Sequence, residues 1–475
     1  MNFSQIFSQA QVPVDLYQFL GENEQGDARL FKMLFQDRYV YDPISNMWAI
    51  YSGHFWERDL NNQIWKYIGD LVAGEYLQEA ATQRAAGNSS KETEYTKRAA
   101  KLRTKKRVTD VIDWAKTMMP LPKKWDEAPM QLPCANGVID LRTGEIRDGQ
   151  PDDYIILHAP TLWKGLNTPA PNWEKFFSEV FNNDIEMIAF IQRLMGYILS
   201  GMSNEKVIPI FYGENGNNGK TTFVEIINTV IGTDFCKKES ATVLMEAKFS
   251  GGEKPSAFIV SLPKKRFFWA NESKEGARFD IGLLKELAGG DTMSGRGLYA
   301  KVGIQFRPTF VVVLVTNRLP HLDADDNAAW NRILPIEFKN SFVDNPSAPN
   351  EFKINRQLPA ILASEASGIL AWLVRGCLEW QRVGLNPPGA VIKRRNDYRE
   401  SEDDFGLFCE ENITPASPTT ETTAKELYGR YRTWAEGNGF PPFSSSTFGR
   451  KMAAKKYVKK KTNRGIVYPG IALKP

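Results

Sequence analysis

The stretch Gly213-Glu-Asn-Gly-Asn-Asn-Gly-Lys-Thr-Thr222 constrains this chain more than any other, because an apolar run, Val207 to Tyr212, leads into it and a helix-compatible segment, Phe223 to Ile231, leads out. Strand, glycine-rich loop, Lys-Thr and helix are the layout of a triphosphate cradle. Glycines let the backbone curl until several N–H groups point inward, and the following helix directs its positive end at the phosphates. Lys220 is expected to reach the outer phosphates and Thr221 to offer a hydroxyl to Mg²⁺. Gly213, Gly216, Asn217, Asn218, Gly219, Lys220, Thr221 and Thr222 are the expected nucleotide-binding residues, and hydrolysis is the expected reaction. The strict pattern asks for Gly, four residues, then Gly-Lys-Ser/Thr; here Glu214 holds the first position and Gly213 comes one place early. The other reading is a glycine-rich surface turn that ends in Lys-Thr by chance, and the flanking strand and helix patterns stand against it.

A chain of 475 residues has room for about two to four domains with their own cores. Its 42% hydrophobic and 24% charged residues are those of a globular protein. No run approaches the roughly 18 apolar residues of a membrane span, and Met1-Asn-Phe-Ser-Gln has neither a basic leader nor an apolar signal core. The expectation is a cytoplasmic protein with no membrane partner. Cys134, Cys236, Cys377 and Cys409 are far apart and only His54, His158 and His321 accompany them, which argues against a zinc site or a disulfide framework. Net charge is only +4, yet from Arg450 to the C-terminus every charged side chain is Lys or Arg.

Residues 1–165 read as a mostly helical N-terminal domain. It carries aromatic signals (Trp48, Tyr51, Phe55, Trp56), then helical patterns from Asn61 to Tyr76 and from about Lys91 to Met119. The second pattern bears Lys97, Arg98, Lys101, Arg103, Lys105, Lys106 and Arg107, either a solvated helix face or a phosphate-tracking surface. Asn136 to Glu145 reads as two short strands around a turn in which Gly144 takes positive φ. Thr168 to Pro171 marks a boundary, after which Trp173 to Ser200 looks helical. Residues 166–400 then alternate strands and helices, with Val207 to Tyr212, Arg266 to Ala270 and Thr309 to Thr316 apolar enough to be buried on both faces. The pattern predicts a multidomain α/β protein with a mainly parallel sheet. Residues 401–475 begin with a flexible connector, Asn412 to Thr420, and end in a small separate domain.

Phe267-Phe-Trp-Ala-Asn-Glu272 is an apolar strand whose tip should lie beside the phosphate loop. A carboxylate there can orient the attacking water and assist the metal, which makes Glu272 the candidate. Asn271 stands where an acid commonly helps hold the metal.

From Lys285 onward the sequence resembles the superfamily 3 helicases, in particular their poxvirus and phage/plasmid primase-helicase branch. The resemblance rests on Lys285-Glu-Leu-Ala-Gly-Gly-Asp291, Arg296 with Tyr299, Thr316-Asn317 closing a strand, and Trp330-Asn-Arg-Ile333, in that order, and extends from about residue 40 to the end. It implies an AAA+ type P-loop ATPase core using ATP and Mg²⁺. It further implies that Asn317 is a polar sensor, that Arg332 is an arginine finger reaching a neighbouring subunit's nucleotide, and that Lys301, with Arg296 and Tyr299, grips DNA in a central channel. Arg318 is a rival for the finger. Each has a plain alternative: a turn cap for Asn317, a surface ion pair for Arg332, a solvated side chain for Lys301.

Thr423 to Glu436 fits a helix, Ser444 to Thr447 can cap a second one, and Lys455 to Tyr468 resembles a hairpin with a basic tip. Helix, turn, helix and basic hairpin is the order of a winged helix. Lys455, Lys456, Lys459, Lys460, Lys461 and Arg464 are its expected phosphate contacts. The parts predict an ATP-dependent replicative DNA helicase of a mobile element. It would be ring-forming, a homohexamer on single-stranded and forked DNA, working with a primase or other replication proteins, and the family resemblance implies movement 3′ to 5′. About forty residues before the resemblance leave no room for a primase fold. An origin-binding initiator is the alternative, and a P-loop small-molecule kinase a more distant one.

Overall fold

The computed structural model describes residues 15–214, 216–246, 257–271, 276–297, 303–440, 442–463 and 465–475. Five strands form the sheet that positions the site: β1 (Ile208–Tyr212), β2 (Cys236–Ser240), β3 (Phe267–Asn271), β4 (Val311–Thr316) and β5 (Ile333–Glu337). Their order is β5-β1-β4-β3-β2, and every pairing is parallel. β1 and β4 are buried along their whole length, as apolar strands covered on both faces must be.

Tyr212 pairs with Thr316 on one side and Glu337 on the other, so β1, β4 and β5 end level. From β1 the chain travels to β2 at one edge, and from β4 it travels to β5 at the other. Winding direction therefore reverses at the adjacent pair β1 and β4, and the crevice beyond the carboxyl ends at such a reversal is where open parallel sheets bind ligands. Helix α1 (Lys220–Ile231) begins there, directly after the loop that follows β1.

The chain divides into two compact units. The first holds the residues up to Ala170 with Thr229–Phe235 and Glu365–Leu378; the second holds Pro171–Asn228, Cys236–Ser364 and Glu379–Pro475. The first unit is largely helical, with two three-stranded antiparallel sheets, Tyr39–Asp42, Met47–Tyr51 and Trp56–Arg58, and Gln131–Cys134, Gly137–Asp140 and Glu145–Arg147. Gly144 has φ of 77°, as its turn requires.

The long basic helix expected to Met119 is two helices, Ser89–Leu102 and Lys105–Met118, because Thr104 leaves the helix (ψ 140°) and its hydroxyl caps the Arg107 amide. Lys97, Lys101, Lys105 and Lys106 are exposed, but Arg98 and Arg107 face inward onto fully buried Asp27. Arg98 Nη1 donates to Asp27 at 2.9 Å, Arg107 Nε at 2.8 Å and the Tyr76 hydroxyl at 2.9 Å. Two members of the cluster are therefore core ion-pair partners, neither solvated nor free to track phosphate.

In the second unit the helical span from Trp173 is also split, into Pro171–Val180 and Ile185–Ser200. Asn182 and Asn183 take φ of 51° and 58°, and Asp184 caps the second helix through the Met187 amide at 3.0 Å. The C-terminal segment contains β6 (Ile413–Pro415), β7 (Glu421–Thr423), α2 (Ala424–Gly437), α3 (Ser445–Ala454), β8 (Lys460–Thr462), β9 (Gly465–Pro469) and β10 (Ile471–Leu473). A capping box between Thr423 and Glu426 starts α2, and Ser444 caps α3. β8 and β9 form an antiparallel hairpin, with β7 on the other side of β9. Leu427, Tyr431 and Phe448 are buried, with Trp434 and Tyr457 packed on them. The expected connector is a correction: Ile413 to Pro415 pairs antiparallel with Leu473 to Ile471, so this stretch is tied into a sheet.

Lys451 on α3 is mostly buried. Its Nζ donates to Asp323 at 3.2 Å and to Asp325, both in the segment between β4 and β5, and lies over the Phe443 ring. Among the described residues no single helix is long and apolar enough to cross a membrane; Leu358–Ser364 and Ala366–Val383 reach that length and composition only jointly, across a 73° bend.

Candidate functional site

The loop between β1 and α1 is shaped by close backbone approach. A Cβ on Gly213 would stand 2.5 Å from the Phe338 carbonyl oxygen, so no side chain fits there without displacing backbone. Asn217 and Gly219 take φ of 58° and 85°, the two left-handed steps that turn the loop over the start of α1. Gly216 has open space where a Cβ would lie, and Glu214 is exposed.

Asn218 organises the loop. Its buried amide donates to the Phe338 and Asn340 carbonyls at 3.1 and 3.3 Å, while its Oδ1 accepts from Lys220 Nζ at 2.7 Å. The Phe342 amide donates to the Asn217 carbonyl at 2.9 Å. Asn340 in turn donates to the Glu179 carbonyl at 2.6 Å and to Asn182 at 2.8 Å. The loop is thus laced to the chain that leaves β5, and through Asn340 to the end of helix Pro171–Val180.

Lys220 Nζ also donates to the Gly213 carbonyl at 3.1 Å and to Asn317 Oδ1 at 3.3 Å. Burial holds its ammonium down at about 8, below the 10.5 of a free lysine. Asn317 is the residue after β4, so the loop lysine and the expected sensor meet at the β1/β4 reversal.

A cavity of about 470 Å³ opens at this point. Gly216, Asn217, Asn218, Gly219, Lys220, Thr221, Thr222, Asn271, Thr316 and Asn317 line one part; Phe176, Phe342, Ile354, Asn355, Arg356, Leu358 and Pro359 line another. Among these described residues there are two cations and no carboxylate, a lining suited to a polyanion. Thr221, and Asn271 whose buried Oδ1 has no hydrogen-bond partner among the described residues, are hard oxygen donors of the kind Mg²⁺ takes. Glu272 lies outside the described residues.

A family described as D5 N terminal like matches residues 28–182. A protein named as a helicase from Acanthamoeba polyphaga mimivirus is 27% identical over 326 residues, 66% of this chain and 34% of that one. Another so named, from Frog virus 3 (isolate Goorha), is 24% identical over 396 residues, 66% of this chain and 39% of that one. One named as a primase, from African swine fever virus (isolate Tick/Malawi/Lil 20-1/1983), is 20% identical over 336 residues, 66% of this chain and 34% of that one. The apo structure of the NrS-1 C terminal region aligns with TM-score 0.50 and 10% identity over 95% of this chain and 100% of that chain, a likeness of fold. Over these stretches the chain is similar to the D5 N terminal like family and to viral proteins named as helicases and primases.

The chain spans 34% of the length of the mimivirus relative and 39% of the Frog virus 3 relative. Its remaining expected site residues are dispersed. Arg332 immediately precedes β5, at the opposite end of that strand from the cavity, where Nη1 donates to the Ala328 carbonyl and buried Nε has no partner among the described residues. Arg318 is exposed beside Asn317, its backbone held by the Thr316 hydroxyl at 2.9 Å. Arg296 follows the strand Met293–Gly295, which pairs antiparallel with Ile304–Phe306; Tyr299 and Lys301 lie outside the described residues. Lys455 is ion-paired to Asp403. Lys456, Lys459, Lys460 and Lys461 are exposed, Lys460 within 3.4 Å of Glu421, and Arg464 lies outside the described residues. Sequence reasoning missed Asn340, Phe342 and Arg356, which come from the segment after β5, where no motif spacing announces them.

Proposed function

We propose that this chain is a D5-like primase-helicase of superfamily 3, an ATP-driven replicative DNA helicase of a phage, plasmid or other mobile element. It is built on an AAA+ type P-loop core with a C-terminal winged helix. The observation that carries this reading is the meeting of Lys220, Asn218 and Asn317 at the β1/β4 reversal, in a cavity with no carboxylate among its described lining residues. Numbered along the chain, the sheet order is 5-1-4-3-2, which supports the core assignment.

In this reading the loop amides and Lys220 hold the β- and γ-phosphates of ATP. Thr221, Asn271 and Glu272 hold Mg²⁺, which neutralises charge developing on the phosphates. Glu272 orients the attacking water, and Asn317 hydrogen-bonds that water or the γ-phosphate. Arg332 stands outside its own cavity, which supports delivery to a neighbouring copy, and a finger supplied by a neighbour needs a closed ring, taken as a hexamer. Arg318, beside Asn317, is the rival that would act within one copy. Lys301, with Arg296 and Tyr299, holds one strand of single-stranded or forked DNA in the channel, while Lys456, Lys459, Lys460, Lys461 and Arg464 of the wing hold duplex phosphates. Movement is 3′ to 5′, a primase is a partner, and the site of action is the cytoplasm.

ATP hydrolysis with and without DNA, and unwinding of forks carrying one single-stranded tail, test the reading. Hydrolysis indifferent to DNA with no unwinding would sink it, and unwinding only from a 5′ tail would reverse the polarity. Lys301→Ala should keep basal hydrolysis and lose unwinding. The exposed basic hairpin also favours an origin-binding initiator, which a footprint at one preferred site would reveal.

A further inference from the structure

We propose that Arg356 is a second phosphate-binding cation of the same cavity, and that Asp344 is the partner it exchanges for nucleotide. The inference rests on reading the cavity as a nucleotide site.

Strand Ser341–Val343 pairs in parallel with Glu351–Lys353, and the Ile354 amide donates to the Val343 carbonyl at 2.9 Å. This register brings Asp344 and Arg356 to the same end of the pair. The Phe342 amide is bonded to the Asn217 carbonyl, so that end is anchored to the phosphate loop itself. Asn355 fixes the turn that carries Arg356: its Oδ1 accepts from the Gln357 amide at 3.0 Å and its carbonyl from the Leu358 amide at 3.1 Å.

Arg356 lines the cavity that Lys220 lines. Its Nη2 lies 3.1 Å from each Asp344 oxygen, and the two side chains are 76% and 67% exposed. The pair uses one guanidinium nitrogen, not the two-nitrogen fork that makes arginine–carboxylate contacts strong, and an exposed pair of that kind holds its members weakly. A phosphate offers the same guanidinium a two-point contact with more negative charge. Lys220 is a single cation whose charge burial disfavours, and a triphosphate needs more neutralisation than it provides.

The test is calorimetric binding of ATP with Mg²⁺ to the full chain and to Arg356→Ala, Arg356→Lys, Asp344→Asn and Lys220→Ala. Arg356→Ala should weaken binding about tenfold, with no change in the melting temperature of the nucleotide-free protein. Arg356→Lys should recover part of the loss, and Asp344→Asn should tighten binding. Wild-type affinity in Arg356→Ala, beside a Lys220→Ala that no longer binds, overturns the role of Arg356 and leaves the nucleotide site standing. Unchanged or weaker binding in Asp344→Asn overturns the exchange. Failure of the unaltered chain to bind ATP overturns both the inference and the reading beneath it.

Discussion

Lys220 Nζ donates to Asn317 Oδ1 at 3.3 Å, joining the loop after β1 to the tip of β4 across 97 positions of sequence. The two side chains have different parts in the proposed reaction. Lys220→Ala should remove ATP binding and with it hydrolysis. Asn317→Ala should leave KM near its starting value and lower kcat by about 10²–10³, the usual loss when one positioned donor at developing charge is removed. Steady-state hydrolysis separates them, and a rise in KM with unchanged kcat for Asn317→Ala would refute its sensor role.

The pH dependence follows from Lys220. Its folded-state value, about 8, lies below that of a free lysine, so between the two the unfolded chain binds more protons and stability should rise with pH across that window. Phosphate favours the charged ammonium, so nucleotide binding above pH 8 should take up a proton and affinity should fall as pH rises through that value. Calorimetry at pH 8.5 in two buffers of different ionisation enthalpy measures the uptake; equal binding heats in the two buffers would refute it.

Two glycines of one loop should behave oppositely. Gly213→Ala forces a methyl to 2.5 Å from a backbone oxygen and should cost about 1–3 kcal/mol, with weaker nucleotide binding. Gly216→Ala meets open space and should stay within about 0.5 kcal/mol. Chemical denaturation of both variants checks the contrast.

Asp27→Ala should destabilise the first unit by about 3–5 kcal/mol, because Arg98 and Arg107 would remain buried without their shared carboxylate. Denaturant unfolding followed through the tryptophans reads this directly. A loss below about 1 kcal/mol would mean that the arginines reach water instead.

The strands and helix around the loop were legible because they carry their own signals. β1 and β4 are short apolar runs, and the loop glycines sit between a strand and a helix. What escaped is of two kinds. Helix breaks at Thr104 and Asp184 depend on one capping side chain each, inside patterns that otherwise continue to read as helical. The supports of the candidate site, Asn340, Phe342 and Arg356, are ordinary residues made relevant by β5 ending level with β1, a fact of strand order that no local pattern carries. Arg98 and Arg107 were misread for a related reason: their partner, Asp27, is more than seventy positions away.

The position of Lys451 settles how α3 could meet a polyanion. Two aspartates already surround that ammonium, so approach of a nucleic acid along this part of the helix would be opposed by carboxylates, while Lys459 and Lys461 nearby are exposed. Cohesion within the unit and the proposed attraction toward an outside strand would then rest on different cations only a few residues apart.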